Sequence, residues 1–61
     1  SDNERMLLEA LDHEERSIET LAEITGAAPS RVASTLITLQ LKGLARQLPG
    51  NVFIRVGNRR S

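Results

Sequence analysis

Cysteine is absent from this 61-residue chain, and with it go disulfide staples, thiolate zinc sites and thiol nucleophiles. Tryptophan and tyrosine are absent too. Phe53 is the one aromatic and His13 the one histidine, which leaves no material for an aromatic cage or a multi-histidine metal site. No apolar run approaches the roughly 20 residues that span a bilayer, so no membrane partner is expected. The opening residues lack a signal-peptide pattern, which makes the cytoplasm the expected location. Ser1 stands where an initiating methionine would, as expected of a piece cut from a longer protein. The length admits one small domain, and a chain so short buries only about 60% of the surface its unfolded form exposes.

Catalytic apparatus is missing as well. There is no phosphate-cradling glycine run, and no serine sits at a helix–strand elbow that could face His13. His13 falls in the acidic stretch Asp12-His13-Glu14-Glu15 and reads as a solvated loop histidine. A domain this small has no room for a deep pocket. Neither an enzyme nor a cofactor is expected.

What the chain does have is charge, and it is unevenly placed. The formal net charge is zero, but residues 1–30 carry all eight acids with two bases, a net −6. Residues 31–61 carry no acid and six bases, Arg31, Lys42, Arg46, Arg55, Arg59 and Arg60, a net +6. Such asymmetry points to an anionic partner for the basic half.

Residues 4–11 read as a first helix, with Asp2 or Asn3 as cap and Met6, Leu7, Ala10 and Leu11 on one apolar side. Leu8 falls off that side. Ser17 is a good N-cap for a second helix over residues 18–25, with Ile18, Leu21, Ala22 and Thr25 facing inward and Ile24 at the margin. Gly26 follows where a left-handed residue would end it. A third helix should run from Pro29, a good first residue, to about Lys42 and stop at Gly43, with Val32, Leu36 and Leu39 as its core stripe. Ala28 before it is a weak cap. Two β-prone runs, residues 44–48 and 52–56, then flank Pro49-Gly50-Asn51 as a hairpin. Pairing Leu48 with Val52 sets Arg46 beside Ile54 and Leu44 beside Val56, but alternation leaves open which face meets the helices. Residues 57–61 read as a polar, disordered tail after a domain of residues 1–56.

Two short helices joined by a tight glycine turn match a helix-turn-helix. Ala22, four residues before Gly26, provides the small side chain a close crossing needs, and Val32 faces it six residues after the turn. The order helix, strand, helix, helix, strand, strand is that of a winged helix-turn-helix. It is mainly α, three helices plus a small two- or three-stranded antiparallel sheet. Arg16-Ser17 supplies the minimal first strand and Pro49-Gly50-Asn51 the wing tip. The basic half then comprises the recognition helix and the wing, the parts that meet phosphates in such modules.

Ile18, Leu21-Ala22, Thr25-Gly26 and Val32 continue through Leu36, Leu39, Leu41, Gly43-Leu44, Arg46, Leu48-Pro49-Gly50 and Phe53. In this series the chain resembles the C-terminal winged-helix appendage of the DNA-processing protein A (DprA/Smf) family of bacterial natural-transformation proteins. The Gly43-Leu44 and Leu48-Pro49-Gly50 segments, with an aromatic three residues on, are the most specific part. The resemblance implies a parent protein whose Rossmann-like domain lies outside this chain. That family binds incoming single-stranded DNA and loads the RecA recombinase on it. Within it, the winged helix is an accessory for DNA or protein contacts. Val52 stands at a wing position where a basic residue is common, and Ala28 replaces a polar cap, so the DNA contacts implied are weak.

Opposite Val32 the third helix presents Ser30, Ser34, Ile37 and Leu41, with Arg31 and Thr38 beside them. Bidentate reading of base edges needs arginine, lysine, asparagine or glutamine, so duplex sequence readout is not expected. Phosphate contact is expected from Ser30, Arg31, Ser34 and Thr38 on the helix and from Arg46, Asn51 and Arg55 on the wing. Ile37 and Leu41, joined by Leu8, instead suggest a protein contact, either a homodimer or docking on the parent protein. The DNA-binding domain of a transcription regulator is a further alternative. Phe53 could stack on a base or pack in the core.

Overall fold

The computed structural model describes residues 2–12 and 14–56. It contains α1 (Asp2–Ala10), β1 (Arg16–Ser17), α2 (Ile18–Thr25), α3 (Pro29–Leu41), β2 (Ala45–Leu48) and β3 (Val52–Arg55). The strands form one antiparallel sheet in the order β1-β3-β2. His13 and the expected tail, residues 57–61, lie outside the described residues.

Each helix end has a local cause. The Ser17 hydroxyl accepts from the Thr20 amide, the N-cap bond that starts α2. At its other end Gly26 adopts φ 76°, a left-handed conformation that costs glycine little, and its amide donates to the Ala22 carbonyl. Pro29 opens α3 after Ala28, which is extended (φ −64°, ψ 146°) and makes no side-chain cap bond. The close of α3 is a Schellman motif: the Gly43 amide donates to Gln40 O and the Leu44 amide to Leu39 O. Helix α1 begins two residues earlier than the spacing suggests, so Asp2 is its first turn rather than its cap, and it accepts from Arg5 at 2.8 Å. Its far end is held from outside. The Arg16 Nε donates to Ala10 O at 2.9 Å, placing a cation where the helix dipole is negative.

The core is Leu7 and Leu11 from α1, Leu21 from α2, Val32, Leu36 and Leu39 from α3, then Ala45 and Phe53 from the hairpin. Ile18, Ala22 and Ala27 pack against it, as does Leu8. The first helix is therefore turned from its expected face: Leu8 is half-buried and Met6 is exposed. The hairpin register is Leu48 with Val52 and Arg46 with Ile54, and the Val56 amide donates to Leu44 O. Its helix-facing side, left open by alternation, is the one that carries Ala45 and Phe53. The Arg16–Ser17 strand pairs with β3 through Phe53 and Val52. At the hairpin tip Gly50 has φ 92° and Asn51 φ 60°, conformations that suit a Pro-Gly turn followed by asparagine.

Candidate nucleic-acid interface

The expected DNA contacts fall on two elements. On α3, Ser30, Arg31 and Ser34 are exposed, while Thr38 is half-buried with its hydroxyl on Ser34 O at 3.4 Å. The start of a helix leaves its first amides without intrahelical partners. Proline at the first position and alanine at the cap leave those of Ser30 and Arg31 uncovered by any capping side chain. On the wing, Arg46 and Asn51 are exposed, and the Asn51 Oδ1 accepts from Gln47 Nε2 at 3.3 Å.

The cations of the basic half are not equivalent. Lys42 Nζ lies 2.8 Å from Glu4 Oε1, and Arg55 Nη1 lies 3.0 Å from Asp12 Oδ1. These two pairs join the basic half to the acidic half, across 38 and 43 residues of sequence. The Lys42 ammonium, hydrogen-bonded to Glu4, holds that carboxyl below the usual carboxylate range. Arg31 and Arg46 have no ion-pair partner among the described residues. Arg59 and Arg60 lie outside the described residues. Of the wing positions expected to touch phosphate, Arg55 is thus engaged by the loop after α1, and Arg46 is the cation with its charge uncompensated.

The apolar stripe divides as well. Ile37 is 59% exposed and Leu41 85% exposed on the side of α3 turned from Val32, Leu36 and Leu39. Leu8 packs against the core and does not join them. Phe53 is buried at 5% exposure, so core packing is its role and no base-stacking platform remains on the described surface. Sequence reasoning passed over a second exposed pair, Met6 and Ile24, which flank an open cleft between α1 and α2 with Glu9, Ala10 and Thr25. It also missed Arg16 as the stopper of α1. The signal for that role, an arginine six residues past the last helical turn, is one that a surface arginine shares.

A cavity of about 30 Å³ between Asn3, Met6, Thr25, Ala27 and Arg31 holds roughly one water. No group of three or more metal-ligating side chains occurs among the described residues. No helix among them is long and apolar enough to cross a membrane.

Three helices, with a tight glycine turn between the second and third and a three-stranded antiparallel sheet whose last two strands form the wing, define a winged helix-turn-helix domain. Its sequence is more specific than its architecture. The chain belongs to the DprA winged helix domain family, whose family model matches residues 1–51, from the first helix through the wing turn. No curated protein and no solved structure matches the chain significantly.

Proposed function

We propose that this domain is an accessory module of a DprA-like protein of bacterial natural transformation, making weak, largely nonspecific contacts with DNA through α3 and the wing. In this reading the parent protein, whose Rossmann-like domain lies outside this chain, binds incoming single-stranded DNA in the cytoplasm and loads the RecA recombinase on it. The winged helix adds charge contacts and performs no catalysis. Family membership supports the parent's identity. The observation that carries the contact surface is the pair of exposed, unpaired cations, Arg31 on α3 and Arg46 on the wing. The serines, Ile37 and Leu41 on the outer face of α3 are not base-reading side chains. Cations without readers give affinity without sequence preference.

A protein-contact reading has its own support in the exposure of Ile37 and Leu41, which a phosphate contact does not use. Docking on the parent's main domain or on a second copy would cover them. The two readings separate in an NMR titration of the 61-residue chain with a short single-stranded oligonucleotide. For the DNA reading, amide shifts cluster on residues 30–38 and 46–55 and shrink as salt rises. Shifts absent from those segments, or unchanged by salt, refute it.

A further inference from the structure

The wing has an outer face as well as the inner one that closes the core. Alternation along the hairpin turns Ala45 and Phe53 inward, so Arg46, Leu48, Val52 and Ile54 point the other way. The register sets Arg46 directly opposite Ile54 and Leu48 directly opposite Val52. The four side chains thus mark the corners of a patch about 5 Å across the strands and about 7 Å along them. Leu48, Val52 and Ile54 are half-buried, yet they are not among the side chains that pack against the core. Arg46 is exposed and has no ion-pair partner among the described residues. Residues 44–56 contain no acid, and their other cation, Arg55, is on the inner side and held by Asp12.

This combination narrows what can cover the patch. The occupant must bring negative charge to the corner of a surface that is otherwise aliphatic. A duplex brings phosphate but keeps the faces of its bases inside the stack, so the three aliphatic side chains would gain nothing from it. A single strand brings the same phosphate beside bases whose faces are free to be covered. With Phe53 in the core there is no ring for a base to stack on, and the aliphatic side chains offer it van der Waals contact instead. We propose that the outer face of the wing is a base-contact subsite for single-stranded nucleic acid. One base packs on Leu48, Val52 and Ile54 while the Arg46 guanidinium holds the adjoining phosphate. This rests on the DNA reading above and goes past it, since that reading uses charge alone. The subsite discriminates strand form and not sequence, because aliphatic side chains make no hydrogen bonds to base edges.

Fluorescence anisotropy of the 61-residue chain with labelled oligothymidine, and with an abasic strand of the same length, tests this. Both strands carry the same phosphates, and only one carries bases. Oligothymidine should bind at least about fivefold more tightly, the low end of what one packed base contributes. The double variant Val52→Thr, Ile54→Thr keeps β-branched side chains at half-buried positions, and circular dichroism checks its fold. It should bring the ratio of the two affinities toward one while its affinity for a duplex stays unchanged. Leu48→Gln, made separately, should lower the same ratio and serves if the double variant does not fold. Equal, salt-sensitive binding of the two strands by the wild-type chain overturns the subsite and leaves the charge contacts standing. No binding of either strand up to about 1 mM overturns both readings. A ratio that neither variant moves, or a duplex affinity that falls in step with it, also overturns the subsite. So would methyl shifts of Leu48, Val52 and Ile54 that follow protein concentration rather than oligonucleotide, which would assign this face to a protein contact.

Discussion

Replacing Arg46 by alanine tests how many cations this surface offers to a single strand. Each neutralised phosphate steepens the fall of log K with log salt by about 0.7 for single-stranded nucleic acid. The measurement is made in a chain with Arg59→Ala and Arg60→Ala, so that the bases of residues 31–61 still present are Arg31, Lys42, Arg46 and Arg55. If all four met phosphate, the slope would be about −2.8, and raising salt from 50 to 200 mM would cost about 50-fold in affinity. With Lys42 held by Glu4 and Arg55 by Asp12, Arg31 and Arg46 alone make the slope about −1.4, a loss of about sevenfold over the same range. Arg46→Ala should then halve the slope to about −0.7, whereas Arg55→Ala should leave it where it was. Fluorescence anisotropy of a labelled oligothymidine at five salt concentrations reads all three slopes. A parent slope near −2.8, or an Arg55→Ala slope as flat as that of Arg46→Ala, would refute the argument that the interhalf ion pairs withhold their cations from DNA.

Three further outcomes test the physical account of the fold. Ala28 already has the extended backbone of an N-cap but no acceptor, so Ala28→Ser should stabilise the domain by about 1 kcal/mol, read as a melting temperature higher by about 4–8 °C; an unchanged melting curve would contradict the reading of that helix start. Leu21 is fully buried, so Leu21→Ala should cost about 2.7–5 kcal/mol, a large share of a total of roughly 3–9 for a chain of this length, read as a sharp fall in the urea midpoint; an unchanged midpoint would contradict its place in the core. The depressed Glu4 carboxyl contributes stability that is present above its unfolded-state titration and lost as pH falls through its lower folded-state value. Carboxyl-resolved NMR should find the Glu4 titration moved upward in Lys42→Met; no upward shift in that variant would remove the Lys42 hydrogen bond as the cause.

Much of the architecture was legible in the residues because it rests on short-range constraints. Ser17, Gly26, Pro29 and Gly43 each answer a steric or hydrogen-bonding demand at a helix end, so the bounds of α2 and the start of α3 could be read directly. The hairpin register was legible too, since Leu48 and Val52 must flank a three-residue turn. The start of α1 was not, because Asp2 and Asn3 serve equally well as caps or as first-turn residues. Nor was its buried face: Met6 and Leu8 sit on either side of Leu7, and packing against α2 and α3, not periodicity, chose Leu8.

The candidate site divides along the same line. Ser30, Arg31, Ser34, Ile37 and Leu41 follow from the pitch of one helix, and the structure leaves them exposed as that pitch implies. The roles of Arg55 and Lys42 depend on which acids stand within 3 Å of them, and those acids lie about 40 residues away in sequence. By itself the sequence determined a winged helix whose charge is split between its halves, because caps, turns and periodic apolar positions act over a few residues. Only the tertiary structure decided which of those charges remain available, because ion pairing depends on distances that the folding of the whole chain sets.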